Sequence, residues 1–351
     1  MLAIEQLGVA TTKSGILLII DTGYLNLWSH DQVPLLPDGV LSSEEATTIA
    51  NSSVDLRIVG SDAAVAGRAL GMSWHPLFVY DQPKDHPELQ AKLDALVRKN
   101  QFDARFEVVE ERVSHRHRVD LALQQGDGAG EVQFHGVWAV SVSDVPVNMP
   151  LSVLAERSES NHQRWKRVIV ECRRKMHIAR SEKVGFVGVD YARLMIGDVD
   201  ALGVWEHERS FDGLSDYVFW GRDASEVATA VRAPRLSQTE FGWVNVPEEV
   251  AQERGMAVQD YQEKRGLKLA GDYRPHSHHW QVMTQTRKSP TESATIKLAG
   301  SILCSFMTTW GDGVFDVYRD LNDIGELVQV RIELEESVVP FEKQQLPTKL
   351  T

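Results

Sequence analysis

The chain has 351 residues, of which 42% are hydrophobic and 25% charged, an ordinary composition for a globular protein with a sizeable core. Its formal net charge of −13 disfavours binding to the phosphate backbone of nucleic acids, which depends on lysine and arginine. No apolar run approaches the roughly 20 residues of a membrane-spanning helix, and the start of the sequence lacks the basic segment of a signal peptide.

The chain contains two cysteines, Cys172 and Cys304, which lie far apart in the sequence. So low a number excludes a disulfide framework and a cysteine-rich zinc site. It is typical of a protein from a reducing compartment. We therefore expect the protein to be cytoplasmic.

Several patterns occur twice in the same order, which indicates an internal duplication. Lys13-x-Gly15 precedes an apolar run that ends at Asp21, and Lys183-x-Gly185 precedes one that ends at Asp190. The later matches are Trp28-x-His30 with Trp205-x-His207, residues 55–63 with 216–224, the strands that end at Pro83 and Pro247, and Ser114-His115 with Ser277-His278. The sequence thus predicts two tandem, diverged copies of one unit.

Each copy is predicted to begin with a short buried strand, over residues 15–20 and 185–189, because these runs are continuously apolar. Two helices should follow in each copy. The first helix should be capped by Ser61 or Asp62 in the first copy and by Asp223 in the second. The second helix should follow Pro83 or Pro247, with Gly255 as a break in the later one.

The remainder of each copy alternates between apolar and polar residues, as antiparallel strands do. These predicted strands include the segments after Ser114 and Ser277 and a final hairpin over residues 314–334. Each copy is therefore expected to be a mostly antiparallel sheet with two helices, and the fold class is α+β.

Residues 159–181 are predicted to form an amphipathic basic helix that links the copies. Trp165, Val168, Ile169, Cys172 and Met176 fall on one helical face. We expect this face to pack on both sheets and the charges to be solvated or paired with acidic groups. The alternative is a basic patch for an anionic ligand or nucleic acid. The expected domains are a first repeat at 1–158, the linker, a second repeat at 182–340 and a disordered tail at 341–351.

Polar residues at strand ends and turns of the second copy are the candidates for a ligand site. Asp190 ends a buried strand, and Asp198 lies in a loop that the first copy lacks. Trp310 and Asp312 belong to a Trp-Gly-Asp-Gly turn, whose glycines permit close backbone approach. A purely structural role in a turn is the alternative for each of them. The candidate ligand-binding residues are Asp190, Asp198, His207, His278, Trp310 and Asp312.

Histidines raise the question of a metal site. His276 and His278 are expected to alternate on one face of a strand, where two imidazoles can ligate one metal ion. No third ligand is apparent beside them, so we predict no metal site. The familiar nucleotide-binding and catalytic motifs are absent as well, and neither catalytic residues nor a cofactor can be assigned.

Two stretches of the C-terminal half form distinctive motifs, namely Val189-Asp190 followed by Leu194 and Gly197-Asp198, and the hairpin from Trp310 to Tyr318. On these motifs, the C-terminal half resembles a family of uncharacterised bacterial proteins. Tyr191-Ala192 and Asp316 depart from the Ser-Gly and Pro of the family. The resemblance implies a small, β-rich fold and, since such proteins are found near toxin and defence genes, a binding or immunity role.

We therefore expect a non-enzymatic protein that binds a protein partner, such as an immunity or regulatory protein that neutralises its partner. The negative charge would favour encounter with a basic partner. The alternative is an enzyme, or a protein that binds a small ligand or metal, with its site in the second copy.

Overall fold

The structure is a computed structural model that describes residues 4–29, 53–70, 78–83, 87–109, 114–134, 137–174 and 176–335. It is an α+β protein with several antiparallel sheets, two of them six-stranded. His30 and the predicted tail at 341–351 lie outside the described residues.

The strands are, in chain order, β1 (Ile4–Ala10), β2 (Leu17–Asp21), β3 (Ser53–Val59), β4 (Phe78–Pro83), β5 (Arg105–Val108), β6 (Ala129–Phe134), β7 (Val137–Val142), β8 (Leu151–Arg157), β9 (Trp165–Glu171), β10 (Arg180–Val189), β11 (Arg193–Asp198), β12 (Leu214–Trp220), β13 (Glu240–Pro247), β14 (Ala270–Pro275), β15 (Ser293–Leu298), β16 (Ser301–Met307), β17 (Gly313–Leu321) and β18 (Leu327–Glu333). A 3₁₀ turn covers Thr22–Tyr24, and the helices are α1 (Leu25–Trp28), α2 (Ala63–Ala69), α3 (Pro87–Asn100), α4 (His115–Gln125), α5 (Val199–Leu202), α6 (Ala224–Val231), α7 (Glu248–Arg265) and α8 (His278–Lys288).

The chain divides into two compact units. The first comprises Met1–Trp205 and Lys288–Thr351, and the second comprises Glu206–Arg287. The boundary therefore does not follow the predicted repeats, because the second unit is an insertion within the second half of the chain.

Two six-stranded antiparallel sheets dominate the first unit. Their strand orders are β1-β8-β9-β18-β17-β10 and β15-β16-β11-β2-β7-β6. One apolar cluster contains buried residues of both sheets, among them Ile19 and Phe306 from one and Val170 and Phe315 from the other. The sheets therefore share a core, to which β2 contributes Leu17 and Ile19 and β11 contributes Leu194 and Ile196. Both strands lie at the centre of their sheet and are buried along their whole length.

Each unit also contains a three-stranded antiparallel sheet with helices beside it. In the first unit this sheet has the order β4-β3-β5, and Leu56, Ile58 and Ala63 form its small core. In the second unit the order is β13-β12-β14, and Phe219 packs there against α6 and α7.

Helix α7 runs without interruption through Gly255, so the predicted break is wrong. A side chain at this position would meet the ring of Tyr217, which lies 2.7 Å from where a Cβ would be. The glycine therefore allows close packing of the helix on β12 instead of ending the helix.

The predicted linker helix at 159–181 is also wrong, because this segment contains β9 and the first residues of β10. Val168, Val170 and Cys172 are buried in alternation, as on a strand. A β-bulge in the pairing with β8 precedes them, and it brings Trp165 to the buried side at a spacing that imitates a helical face.

The segments after Ser114 and Ser277 are helices α4 and α8, where strands were predicted. The Ser114 hydroxyl accepts a hydrogen bond from the His117 amide, and the Ser277 hydroxyl accepts one from the Trp280 amide. These bonds cap the helices and satisfy amides that lack partners in the first turn. Each half of the chain consequently has more helices than the two that were expected.

No helix among the described residues is long and apolar enough to cross a membrane. Both cysteines are buried free thiols.

We expect neither thiol to react with Ellman's reagent in the folded protein, because burial raises the pKa of Cys172 and of Cys304 to about 12. Two equivalents should react after unfolding in guanidinium chloride, which serves as the control. Rapid reaction of either thiol under native conditions would contradict the burial of these residues.

Candidate functional site

The turn between β10 and β11 is held by a carboxylate from β2. Asp21 ends β2 and is completely buried. Its Oδ2 accepts hydrogen bonds from the amides of Asp190, at 2.6 Å, and Tyr191, at 2.9 Å. Its Oδ1 accepts one from the Gly23 amide at 2.7 Å, so the same side chain also caps the 3₁₀ turn that follows β2.

Two further side chains fix the β10–β11 turn from outside. The hydroxyl of Tyr24 donates to Oδ2 of Asp190 at 2.6 Å. Oδ1 of Asp312 accepts a hydrogen bond from the amide of Ala192 at 3.0 Å. Ala192 has a φ of 53°, a backbone conformation that costs energy for a residue with a side chain. The surrounding hydrogen bonds offset this cost.

The ring of Tyr191 projects from this turn and is 53% exposed. It lies edge-on to the ring of Tyr24, with 5.6 Å between the centroids. The approach depends on Gly23, because a Cβ there would lie 2.2 Å from the Tyr191 ring. Tyr24, Asp190, Tyr191 and Asp312 thus form one surface, which we call the Tyr191 surface.

Both carboxylates of this surface lie next to the end of the β10–β17 ladder. Val189 of β10 pairs with Gly313 of β17, so Asp190 directly follows and Asp312 directly precedes the last pair of that ladder. Among the described residues, neither carboxylate forms an ion pair with a cationic side chain.

The buried position of Asp21 disfavours its ionised form. Burial raises the pKa of this carboxyl to about 6, against the opposing effect of the three amide donors and of Arg193. Because the Asp21 carboxyl is not exposed to solvent, we interpret it as a group that positions the turn and not as one that binds a ligand.

Asp198, a predicted ligand residue, has a structural role at the other end of β11. Its Oδ2 accepts hydrogen bonds of 2.6 to 2.9 Å from the Thr12 hydroxyl, the Lys13 amide, and the amide and hydroxyl of Ser14. Its Oδ1 accepts from the amides of Asp200 and Ala201 and caps α5. Burial alone would raise the pKa of Asp198, but these bonds outweigh it and lower the pKa.

Trp310, also predicted to bind a ligand, is a partly buried support. Its indole nitrogen donates to the carbonyl oxygen of Trp165 at 2.7 Å. The guanidinium of Arg164 lies over the Trp310 ring, 4.3 Å from the centroid. Trp310 thus connects the turn before β17 to the start of β9.

His207 and His278, the remaining predicted ligand residues, belong to the second unit and lie near the start of α8. The rings of His207 and His279 stack with centroids 3.8 Å apart. Nδ1 of His278 accepts a hydrogen bond from the Glu206 amide, and burial lowers the pKa of His278. His278 therefore holds the neutral form that this bond requires.

The predicted alternation of His276 and His278 on a strand is wrong, since the strand β14 ends at Pro275 and α8 begins at His278. His276 lies between the carboxylates of Asp212 and Asp216, at 2.9 and 3.4 Å. Burial alone would lower the pKa of His276, but these two acceptors raise it. Within the described residues, no group of three or more histidine, cysteine or acidic side chains could hold a metal ion.

Comparison with known proteins adds no relative: no family model, no curated protein and no solved structure matches this chain. The resemblance of the C-terminal half to the bacterial family stays an expectation drawn from its two motifs.

Replacing Asp198 with asparagine should reduce the free energy of unfolding by about 2–4 kcal/mol, because an amide nitrogen would then face backbone and hydroxyl donors that it cannot satisfy. Asp200→Asn is the control, since Asp200 is largely exposed and forms a surface pair with Arg116; it should cost less than about 1 kcal/mol. Urea unfolding at pH 7 measures both.

The difference in unfolding free energy between wild type and Asp198→Asn should depend on pH in a definite direction. The lowered pKa of Asp198 means that its ionised form stabilises the fold above the ordinary aspartate pKa of about 3.9, and that this contribution is lost as the pH falls below that value. The gap between wild type and Asp198→Asn should therefore narrow at pH 3. A constant gap would contradict the role of the charge.

The carboxyl carbon of Asp21 should titrate with a midpoint near pH 6 in a carbon-13 NMR titration, because burial disfavours its charge. Its raised pKa contributes stability that is present below about pH 4 and lost as the pH rises through 6. Asp198, whose pKa is lowered, is the internal control. A midpoint for Asp21 at or below 4 would show that the three amide donors outweigh burial.

Proposed function

We propose that the chain consists of two diverged copies of one α+β unit, with a register that differs from the one predicted from the sequence. Residues 4–28 align without a gap with residues 181–205. This alignment matches Gly8 with Gly185, Asp21 with Asp198, and Trp28 with Trp205. The earlier pairing of Asp21 with Asp190 is replaced, because Asp21 ends β2 and Asp190 follows β10.

Strand pairing supports this register. β2 pairs with β11, and Leu17 lies opposite Asp198 while Asp21 lies opposite Leu194. Bulges occur at equivalent places in β1 and β10, beside Gly8 and Gly185. The two aligned aspartates also have corresponding roles. Asp21 accepts hydrogen bonds from amides of the β10–β11 turn, and Asp198 accepts them from amides of the β1–β2 turn.

We infer that the protein binds a basic protein partner through the Tyr191 surface. The observation that carries this proposal is the exposed Tyr191 ring beside the carboxylates of Asp190 and Asp312, neither of which pairs with a cation among the described residues. A lysine or arginine from a partner would supply this cation and could pack on the exposed Tyr191 ring. Exposed aromatic residues on a rigid support are typical of binding hot spots.

The two copies differ at this place, which supports a function in the second one. The β1–β2 turn carries Lys13, whose ammonium group donates to the Ala299 carbonyl, and Ser14, whose hydroxyl is bound to Asp198. The β10–β11 turn carries Asp190 and Tyr191 at the aligned positions. The β1–β2 turn therefore uses these polar side chains for bonds to the rest of the protein, whereas the β10–β11 turn has the exposed Tyr191 ring at the position aligned with Ser14.

The cellular location and the functional class of the protein are also proposals. We place the protein in the cytoplasm as an immunity or regulatory protein, on the basis of its two cysteines and the resemblance of its C-terminal half. We expect no nucleic acid as its partner, because the net charge is −13. We expect no membrane either, because no apolar run approaches the roughly 20 residues of a membrane-spanning helix. The alternative, an enzymatic or small-ligand site in the second copy, would have to be formed without Asp198, whose carboxylate is saturated by structural hydrogen bonds.

A fluorescein-labelled hexa-arginine peptide tests the proposal by fluorescence anisotropy at low salt. The double variant Asp190→Asn/Asp312→Asn should bind it about tenfold more weakly than wild type, a loss of about 1.4 kcal/mol. The control Asp94→Asn/Asp323→Asn removes the same charge from other exposed positions and should change the affinity less than twofold.

Equal weakening in both double variants would mean that only the overall negative charge attracts the peptide, and the proposed surface would be wrong. A second test compares the proteins that wild type and Tyr191→Ala capture from a native lysate. A partner retained equally by both proteins would also contradict the proposal.

A further inference from the structure

A groove of about 1130 Å³ opens on the first unit beside the turn that joins β8 to β9. Residues 161–164 of this turn form one wall, and residues 289–292, which precede β15, form the other. Trp165 and Thr309 also line it. Pockets for small molecules have volumes of roughly 300–1,000 Å³ and are largely enclosed, so this open groove better fits an extended chain segment.

Internal hydrogen bonds fix both walls. On one side, the hydroxyl of Ser158 accepts hydrogen bonds from the amides of Ser160 and Asn161, both at 3.1 Å. The Ser158 amide donates to the Arg164 carbonyl at 2.9 Å. On the other side, the Glu292 amide donates to the Ser289 carbonyl at 3.1 Å. The groove is therefore preformed, which lowers the entropic cost of binding.

The two arginines that line the groove differ in whether a carboxylate of the protein neutralises their charge. Arg157 lies over the Trp165 ring and pairs with both carboxylate oxygens of Glu5, at 2.7 and 3.2 Å. Its charge is thus neutralised within the protein. Arg164 lies over the Trp310 ring and has no carboxylate partner among the described residues.

Arg164 also differs from the other arginines of the basic stretch at 161–183. Arg167 pairs with Glu156, and Arg174 pairs with Glu171, both at 3.1 Å. The expectation that these charges pair with acidic groups is met for them. Arg164 remains available, with its guanidinium plane supported by an aromatic ring.

We propose that this groove binds an extended acidic peptide segment, and that Arg164 receives a carboxylate of the peptide. A guanidinium matches a carboxylate with two parallel hydrogen bonds, and stacking on Trp310 restricts its orientation in advance. The residues of the Tyr191 surface do not line this groove, so the proposal is independent of the first one.

A fluorescein-labelled hexaglutamate peptide is the probe, with binding followed by anisotropy. Wild type should bind it, and Arg164→Ala should weaken binding at least about tenfold. Arg164→Lys should give an intermediate affinity, because lysine retains the charge without the planar fork. Arg222→Ala is the control, since Arg222 is an exposed arginine of the second unit; it should change the affinity less than twofold.

Thermal unfolding of each variant checks that it is folded. Absence of binding to wild type at about 1 mM peptide, a free energy weaker than about −4 kcal/mol, would overturn the proposal. Equal affinities of wild type and Arg164→Ala would do the same. Displacement of the peptide by inorganic phosphate at an equal concentration would show that the groove takes a free oxyanion, and would also overturn it.

Discussion

The fold of the first unit depends on two buried carboxylates at the ends of the β2–β11 pair. These strands lie at the centre of their sheet and are buried along their length, so the turns that lead into them bring backbone amides close to the core. An amide buried without an acceptor costs about 1–3 kcal/mol. Asp21 and Asp198 supply the acceptors, and each does so for the turn that precedes the other strand.

The hydrogen bonds that Asp21 accepts hold the β10–β11 turn, on which the proposed binding surface lies. A surface turn is normally among the most mobile parts of a protein, and a mobile turn loses entropy on binding. The β10–β11 turn is instead held by Asp21 from below and by Tyr24 and Asp312 from the sides. The protein can thus present Tyr191 and the carboxylates of Asp190 and Asp312 on a rigid support, as the proposed binding of a basic partner requires.

The sequence predicted the parts of the fold whose pattern has a single interpretation. The continuous apolar run before Asp21 predicted a buried strand, and β2 is one. The last hairpin was predicted over residues 314–334 from the alternation of apolar and polar residues, and β17 pairs with β18 as expected. In both cases local preference and tertiary packing favour the same structure.

The errors arose where two periodicities fit the same residues. Trp165, Val168, Ile169 and Cys172 have helical spacing, but a bulge beside β8 produces that spacing on a strand. Val119 and Leu123 fit alternation, yet they are four residues apart on α4, which Ser114 caps. The role of Asp198 could not be found from its own surroundings, because four of its six hydrogen-bond donors belong to residues 12–14.

Amide hydrogen exchange of the two turns, measured by NMR in wild type and in Asp21→Asn, tests the central claim most directly. In wild type, the amides of Asp190 and Tyr191 should exchange slowly despite their place at the surface, and so should those of Lys13 and Ser14. In Asp21→Asn, protection should be lost at Asp190 and Tyr191 and kept at Lys13 and Ser14. Fast exchange at all four amides in wild type, or equal loss at both turns in the variant, would contradict the account.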